Sequence, residues 1–338
     1  MKKKLSLLLV LLLVVTALAA CGGNTDTEGP ESDSVKTGLA ILTTVASSTD
    51  AGEDLGLAQG YSNIVAVIVD EDGVIANCAI DAIQTNVNFD AQGHITSDLA
   101  MVTVGKQELG DSYGMKKAST IGKEWFEQAN FLAEYVIGMT RAEVLAIPMD
   151  QGLASDSDLS SGVTMHVNDY VATIVAAMDA AQDLGANSTD TLGIGTYSLI
   201  DGSVDATADE PGNVQVYAHF AAVTFDEDGV ITSAVLDASQ ADIGFGLDGV
   251  ITTDLATVYP SKDVIKDGYG MKKASSIGKE WYEQAAFFAS YVVGKTVDEV
   301  KGIAMDKGLV TDADLASGVT MHANMFVTNI AKAFDFAK

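Results

Sequence analysis

Apolar and polar positions alternate along this chain in one long pattern that is written twice. Asp70-Glu71-Asp72-Gly73-Val74-Ile75 returns as Asp226-Glu227-Asp228-Gly229-Val230-Ile231, an offset of 156 residues. The offset holds without a gap through Gly93/Gly249, Trp125/Trp281, Gly138/Gly294, Thr164/Thr320 and Ala177/Ala333. A period of that length is a duplicated domain, since solenoid units repeat every ~20–50 residues. The spacing places the copies at residues 37–182 and 190–338, with the polar stretch 183–189 as a linker.

Each copy runs through the same elements. Ile64–Val69 and Val74–Ile80 are β-rich runs on either side of Asp70-Glu71-Asp72-Gly73, which predicts a hairpin. Ala218–Phe225 and Val230–Leu236 repeat it. The Asp-x-Asp-Gly turn lacks the remainder of a calcium-binding loop and its terminal Glu. A third strand is expected near Ile95–Val104 and Ile251–Tyr259. Trp125, Phe126, Ala129, Leu132, Ala133 and Val136 then fall at spacings of three and four, the stripe of an amphipathic helix ending near Tyr135. Gly138 and Gly294 stand where a helix wants a left-handed residue after its end. Thr140-x-x-Glu143 and Thr296-x-x-Glu299 read as capping boxes of a short second helix. Val163–Val167 alternates like a short strand, and Asn168 is expected to cap a final helix whose stripe is Val171, Ile174, Val175 and Met178. The expected class is α+β: two tandem domains, each a mainly antiparallel sheet with helices on one side.

The N-terminus follows different rules. Lys2-Lys3-Lys4 precedes an apolar run from Leu5 to Val15, and Leu18-Ala19-Ala20-Cys21 follows. This is a secretory signal over residues 1–20. Leu18-Ala19-Ala20-Cys21 resembles a bacterial lipobox, which implies lipidation at Cys21 and a location on the outer face of the cell membrane. Residues 21–36, rich in Gly, Ser, Thr and acids, read as a disordered tether.

Charge narrows the choice of partners. The whole chain carries 19 basic and 47 acidic residues, a formal net charge of −28. Nucleic acid is excluded as a partner, because its backbone requires positive surface. Cys21 and Cys78 are the only cysteines, so no disulfide framework and no cysteine-based metal site can form. Gly-x-Ser-x-Gly, a phosphate-binding P-loop and His-Glu-x-x-His are absent from the sequence, which weakens an enzymatic reading.

The candidate chemistry lies near the end of each copy, in Asp158-Leu-Ser-Ser161-Gly162-Val163-Thr164 and Asp314-Leu-Ala-Ser317-Gly318-Val319-Thr320. Asp-x-x-Ser-Gly-Val-Thr resembles the flavinylation signature of FMN-binding domains. Those domains include the G subunit of Rnf complexes, the C subunit of sodium-pumping NADH:quinone reductases and flavinylated lipoproteins of extracellular electron transfer. The resemblance matches Asp158, Ser161, Gly162 and Thr164, and again Asp314, Ser317, Gly318 and Thr320. Val163 and Val319 stand where the signature has alanine, and His166 and His322 where Thr or Ser is common. It implies FMN held near Thr164 and Thr320, with the phosphate esterified to those hydroxyls. It also implies a carrier that exchanges electrons with a redox partner protein or a quinone-linked membrane complex. The alternative is a cell-surface binding lipoprotein that keeps the scaffold without the cofactor. Lys116, Lys117, Lys123 and their copies Lys272, Lys273 and Lys279 could meet a phosphate or form ordinary solvated surface. Tyr113 and Tyr269, beside glycines, are candidates to stack on a flavin ring, while Trp125 and Trp281 fit core positions better.

Overall fold

The computed structural model describes residues 35–338. The expected export signal, Cys21 and all but the last two residues of the expected tether lie outside the described residues. In chain order the elements are β1 (Lys36–Thr44), β2 (Gly56–Val69), β3 (Ile75–Phe89), β4 (Val102–Val104), α1 (Lys106–Leu109), α2 (Trp125–Tyr135), α3 (Arg141–Leu145), β5 (Met149–Asp150), β6 (Leu153–Ala154), α4 (Ser157–Ser160) and α5 (Asn168–Ala180). The second copy supplies β7 (Thr191–Leu199), β8 (Gly212–Phe225), β9 (Ile231–Phe245), β10 (Val258–Tyr259), α6 (Lys262–Ile265), α7 (Trp281–Val292), α8 (Val297–Lys301), β11 (Met305–Asp306), β12 (Leu309–Val310), α9 (Ala313–Ala316) and α10 (Asn324–Asp335). The class is α+β, and none of the described helices is long and apolar enough to cross a membrane.

The two copies form one compact unit. Two antiparallel four-stranded sheets, β10-β1-β2-β3 and β4-β7-β8-β9, lie face to face. Each sheet takes its short edge strand from the other copy: Thr43 and Thr44 pair with Tyr259 and Val258, while Val102–Val104 pairs with Tyr197–Leu199. The division of side chains along β2 explains its sequence. Ile64, Ala66 and Ile68 face Ala218, Phe220 and Ala222 of the opposite sheet. Val65, Val67 and Val69 face the helices, packing with Ala129, Leu132 and Ile174. A strand covered on both faces reads as a continuous apolar run rather than an alternation. Phe89 stacks on Phe245 with centroids 4.5 Å apart, tying one end of the sandwich together. Hydroxyl pairs line the seam between the sheets, Thr37 with Ser233 at 2.7 Å and Thr43 with Ser239 at 2.9 Å.

Most predicted elements stand where the pattern put them, and the differences have local causes. The Asp70–Val74 turn is built by Asp70 Oδ1, which accepts the N–H groups of Asp72 and Val74. Gly138 and Gly294 are left-handed, at φ 83° and 81°, and both Thr-x-x-Glu capping boxes form. The expected third strand shrinks to β4 in one copy and β10 in the other. Its first half is a loop in which Asp98 Oδ1 accepts from Ala100 N–H, and Ser97 Oγ in place of a backbone carbonyl accepts from Asn88 N–H of β3. Val163–Val167 forms no strand; a single bridge joins His166 to Leu153. Asn168 is not a cap. Val167 N–H is held by Gly152 O at 2.7 Å, so the chain turns one residue earlier, Val167 occupies the cap position, and Asn168 opens α5. Strands β1 and β7 had no prediction, and Val35, inside the expected tether, is already buried in the core.

Candidate functional site

The Asp-x-x-Ser-Gly-Val-Thr segment is a helical turn pinned to the flank of α2. Asp156, two residues before the motif's acid, caps α4 by accepting from Asp158 N–H at 2.9 Å and Leu159 N–H at 3.1 Å. Asp158 and Asp314 are exposed. Ser161 Oγ donates to Asp158 O at 2.7 Å, and Ser317 Oγ to Asp314 O at 2.6 Å, so both serines, though exposed, close the turn. Val163 and Val319, the departures from the flavinylation signature, are 1% exposed and belong to the two helix-side cores. A valine there anchors the turn through its buried methyl groups.

Gly162 and Gly318 are required by a close approach. A Cβ on Gly162 would lie 2.5 Å or less from ring carbons of Phe131 on α2, and one on Gly318 would meet Phe287 the same way. Lys123 Nζ sits 4.9 Å from the centroid of the Phe131 ring, and Lys279 Nζ 4.9 Å from that of Phe287. The lysine, the ring and the glycine turn are therefore one assembly in each copy.

Thr164 and Thr320 are half-buried and held by a residue that sequence reasoning missed. Gln128 Oε1 accepts from Thr164 N–H at 2.8 Å and from Thr164 Oγ1 at 3.3 Å. Its Nε2 donates to Ser119 Oγ at 3.1 Å and Lys123 O at 3.2 Å. Gln284 makes the same bonds to Thr320, Ser275 and Lys279, with donor–acceptor distances within 0.1 Å of those in the first copy. The signal was present in the sequence: a glutamine on the buried stripe between Trp125 and Leu132, repeated between Trp281 and Phe288. Gln128 and Gln284 are 0% exposed, and a wholly buried amide needs partners at both ends. Beside Thr164 lies a shallow groove of about 380 Å³, lined by Ala118, Thr120, Leu153, Ala154, Ser160 and Val163.

The Tyr-Gly-Met-Lys-Lys-Ala-Ser segment has two roles. Its backbone is tied to the cap of α2, with Met115 N–H donating to Glu124 Oε2 at 2.7 Å and Met271 N–H to Glu280 Oε2 at 2.8 Å. Each of its tyrosines grips a buried lysine through its hydroxyl. Lys106 Nζ donates to Tyr113 Oη at 2.7 Å and to Tyr61 Oη at 3.2 Å. It lies 4.3, 4.6 and 5.4 Å from the ring centroids of Tyr113, Tyr61 and Trp125. Lys262 repeats this with Tyr217 at 2.6 Å and Tyr269 at 2.8 Å, over the rings of Tyr217, Tyr269 and Trp281. Buried Asp81 and Asp237 place these lysines by capping α1 and α6: their Oδ1 atoms accept from Gln107 N–H and Asp263 N–H, both at 3.0 Å.

Burial governs the ionisation of these clusters. Desolvation pushes both carboxyls up to about 7, against stabilising backbone N–H groups. It lowers Lys106 to about 8 and Lys262 to about 7, and the nearby carboxylate acts the other way in each case. The copies differ in one neighbour. His219 stands at the position of Asn63, its ring tilted against Tyr217 with centroids 4.1 Å apart; burial foremost, and the Lys262 charge after it, hold it down to about 3. His219 is therefore a neutral imidazole at physiological pH.

No family model matches the chain, and no solved structure matches it. One stretch of 39 residues is 59% identical to a chlorophenol reductase of Desulfitobacterium hafniense. That stretch covers 12% of this chain and 12% of the reductase's length.

Proposed function

We propose that the protein is an electron-relay flavoprotein, lipid-anchored outside the cell membrane, with one FMN phosphate held at each of Thr164 and Thr320. The observation that carries the reading is the identical seating of the two threonines, each half-exposed and gripped through backbone and hydroxyl by a buried glutamine. The residues fit a flavin phosphate. The Thr164 hydroxyl borders a groove whose volume falls within the ~300–1,000 Å³ range of small-molecule sites. Gly162 lets the turn lie directly on the Phe131 ring, and the Lys123 ammonium on that ring supplies positive charge on an otherwise acidic molecule. When bound, FMN supplies one- and two-electron chemistry. Gln128 and Gln284 orient the attachment hydroxyl, and Val163 and Val319 keep the turn from shifting. The acidic surface disfavours anionic partners and steers cationic faces of redox proteins.

The test is intact mass spectrometry on the exported protein, produced alongside a flavin transferase. Two added FMN groups are expected on the parent, and one on each of Thr164→Ala and Thr320→Ala. A colourless protein of unmodified mass that ignores added FMN would refute the proposal and leave the cofactor-free binding lipoprotein in its place.

A further inference from the structure

The internal repeat places a cavity at the same position in each copy, between the outermost strand of one sheet and the helix covering it. In the first copy it holds about 300 Å³ and is bordered by Cys78, Ile80, Asn130, Ala133, Glu134 and Ile137. In the second it holds about 480 Å³, and the corresponding residues are Ala234, Leu236, Ala286, Ala289, Ser290 and Val293. The second cavity is thus larger, and it has exchanged an amide and a carboxylate for a methyl and a hydroxyl.

It also carries a cation at a backbone position that disfavours any side chain, whereas the cation of the first cavity, Lys338, shares that cavity with Glu134. Lys266 lines the second cavity, at the position occupied by Gly110 in the first copy. Gly110 has φ 50° and ψ −129°, and Lys266 keeps that conformation at φ 50° and ψ −123°. This is the region of the first central residue of a type II′ turn, where glycine dominates because a Cβ is strained. Non-glycine residues held in such regions cluster at binding sites. Gln151 and Lys307 are the other non-glycine residues with positive φ among the described residues, and they occupy the same turn in both copies. Lys266 alone replaces a glycine of the other copy. Its ammonium forms no ion pair within 4 Å among the described residues and lies 6.0 Å from the ring centroid of Tyr282, which also lines the cavity. Asp263 borders the same cavity from α6; its backbone N–H is already given to Asp237 and its carboxylate is exposed.

We propose that this cavity binds a small apolar monocarboxylate, its hydrocarbon or aryl body against Leu184, Leu236, Ala289 and Val293 and its carboxylate on Lys266. A molecule with formal charge −28 repels free anions, so a carboxylate needs a local unpaired cation, and an apolar body needs a wall without Glu134 or Asn130. The site belongs to the second copy alone and does not depend on flavin.

Isothermal titration of the exported chain with phenylacetate and with neutral phenylacetamide tests this. Phenylacetate should bind saturably at one site, with the amide at least tenfold weaker. Lys266→Gly adopts the relaxed residue of the first copy, so it should fold with an undiminished Tm. It should bind the acid at least tenfold more weakly and leave the amide unchanged. Ala286→Trp, which builds an indole from an exposed helix position over the cavity, should weaken both. Absence of saturable phenylacetate binding, equal affinities for acid and amide, undiminished binding by Lys266→Gly, or two equivalent sites would each overturn the proposal.

Discussion

Replacing Gly162 by alanine probes the assembly on which the candidate site rests. The new methyl would sit 2.5 Å or less from ring carbons of Phe131, whereas carbons pack at ~3.5–4.0 Å, so something must retreat by about 1 Å. Two escapes are open. Phe131 can swing outward; it is half-buried, and a phenylalanine covers ~150–250 Å² when fully buried, so about 100 Å² returns to water at a cost of ~2.5 kcal/mol. Alternatively the turn lifts, leaving the buried Gln128 oxygen without Thr164 N–H, which costs ~1–3 kcal/mol. Either route lowers stability by about 1–3 kcal/mol, and for a unit of this size that shifts Tm by ~2–5 °C. Thermal and urea melts measure the loss. Adding Phe131→Ala separates the cause: with the ring gone the clash disappears, so the double variant should be less destabilised than the two single costs together. Strict additivity, or a Gly162→Ala loss under ~0.5 kcal/mol, would show that the ring does not dictate glycine. Flavin attachment at Thr164 should fall while that at Thr320 persists.

Gln284→Ala strands Thr320 N–H beside buried carbon, and a cost of ~1–3 kcal/mol is expected, with faster hydrogen exchange at the Thr320 amide and no change at Thr164. Unaltered exchange at Thr320 would count against the grip. Lys262 has its pKa lowered from 10.5 to about 7, so its charge destabilises the fold below that pH and the destabilisation fades as pH rises towards 10.5. Comparing Lys262→Met with the parent from pH 10 to pH 6 should therefore move the balance towards the variant by on the order of 2–5 kcal/mol; a pH-independent difference would refute a strained ammonium. Asp237, raised to about 7, works in the opposite sense: its contribution is present below pH ~4 and is lost as pH rises through 7, so Asp237→Asn should flatten the parent's loss of stability between pH 4 and 7. Cys78 is buried and its thiol is pushed up to about 12, so it should resist a thiol reagent in the native protein and react once urea unfolds it.

Local rules wrote much of this molecule into its sequence. The duplication, the Asp-Glu-Asp-Gly hairpins, the Trp-led helices, the capping boxes and the left-handed Gly138 and Gly294 each depend on a few adjacent residues, and each was legible. The α+β class followed from the order of those elements. Contacts between residues far apart in sequence were another matter. Nothing local in Val102–Val104 or in Val258-Tyr259 says that each will close the other copy's sheet, because pairing partners in a sheet need not be neighbours in the chain. Strands β1 and β7 were missed because glycine, threonine and serine interrupt their apolar pattern, and only the helix backbones lying against Gly38 and Gly193 explain those glycines. The valine of Ser-Gly-Val-Thr looked like a departure from a signature until burial showed it anchoring the turn. Gln128, Lys106 and Asp81 read as polar residues in apolar company, and tertiary structure alone supplied the threonine, the tyrosines and the backbone N–H groups that satisfy them. The sequence thus determined the elements and the repeated motif, since both obey short-range geometry. What each polar group does inside the core was decided by folding, which brings Tyr61 to Lys106, Gln107 N–H to Asp81 and Thr164 to Gln128 across 26 to 45 residues.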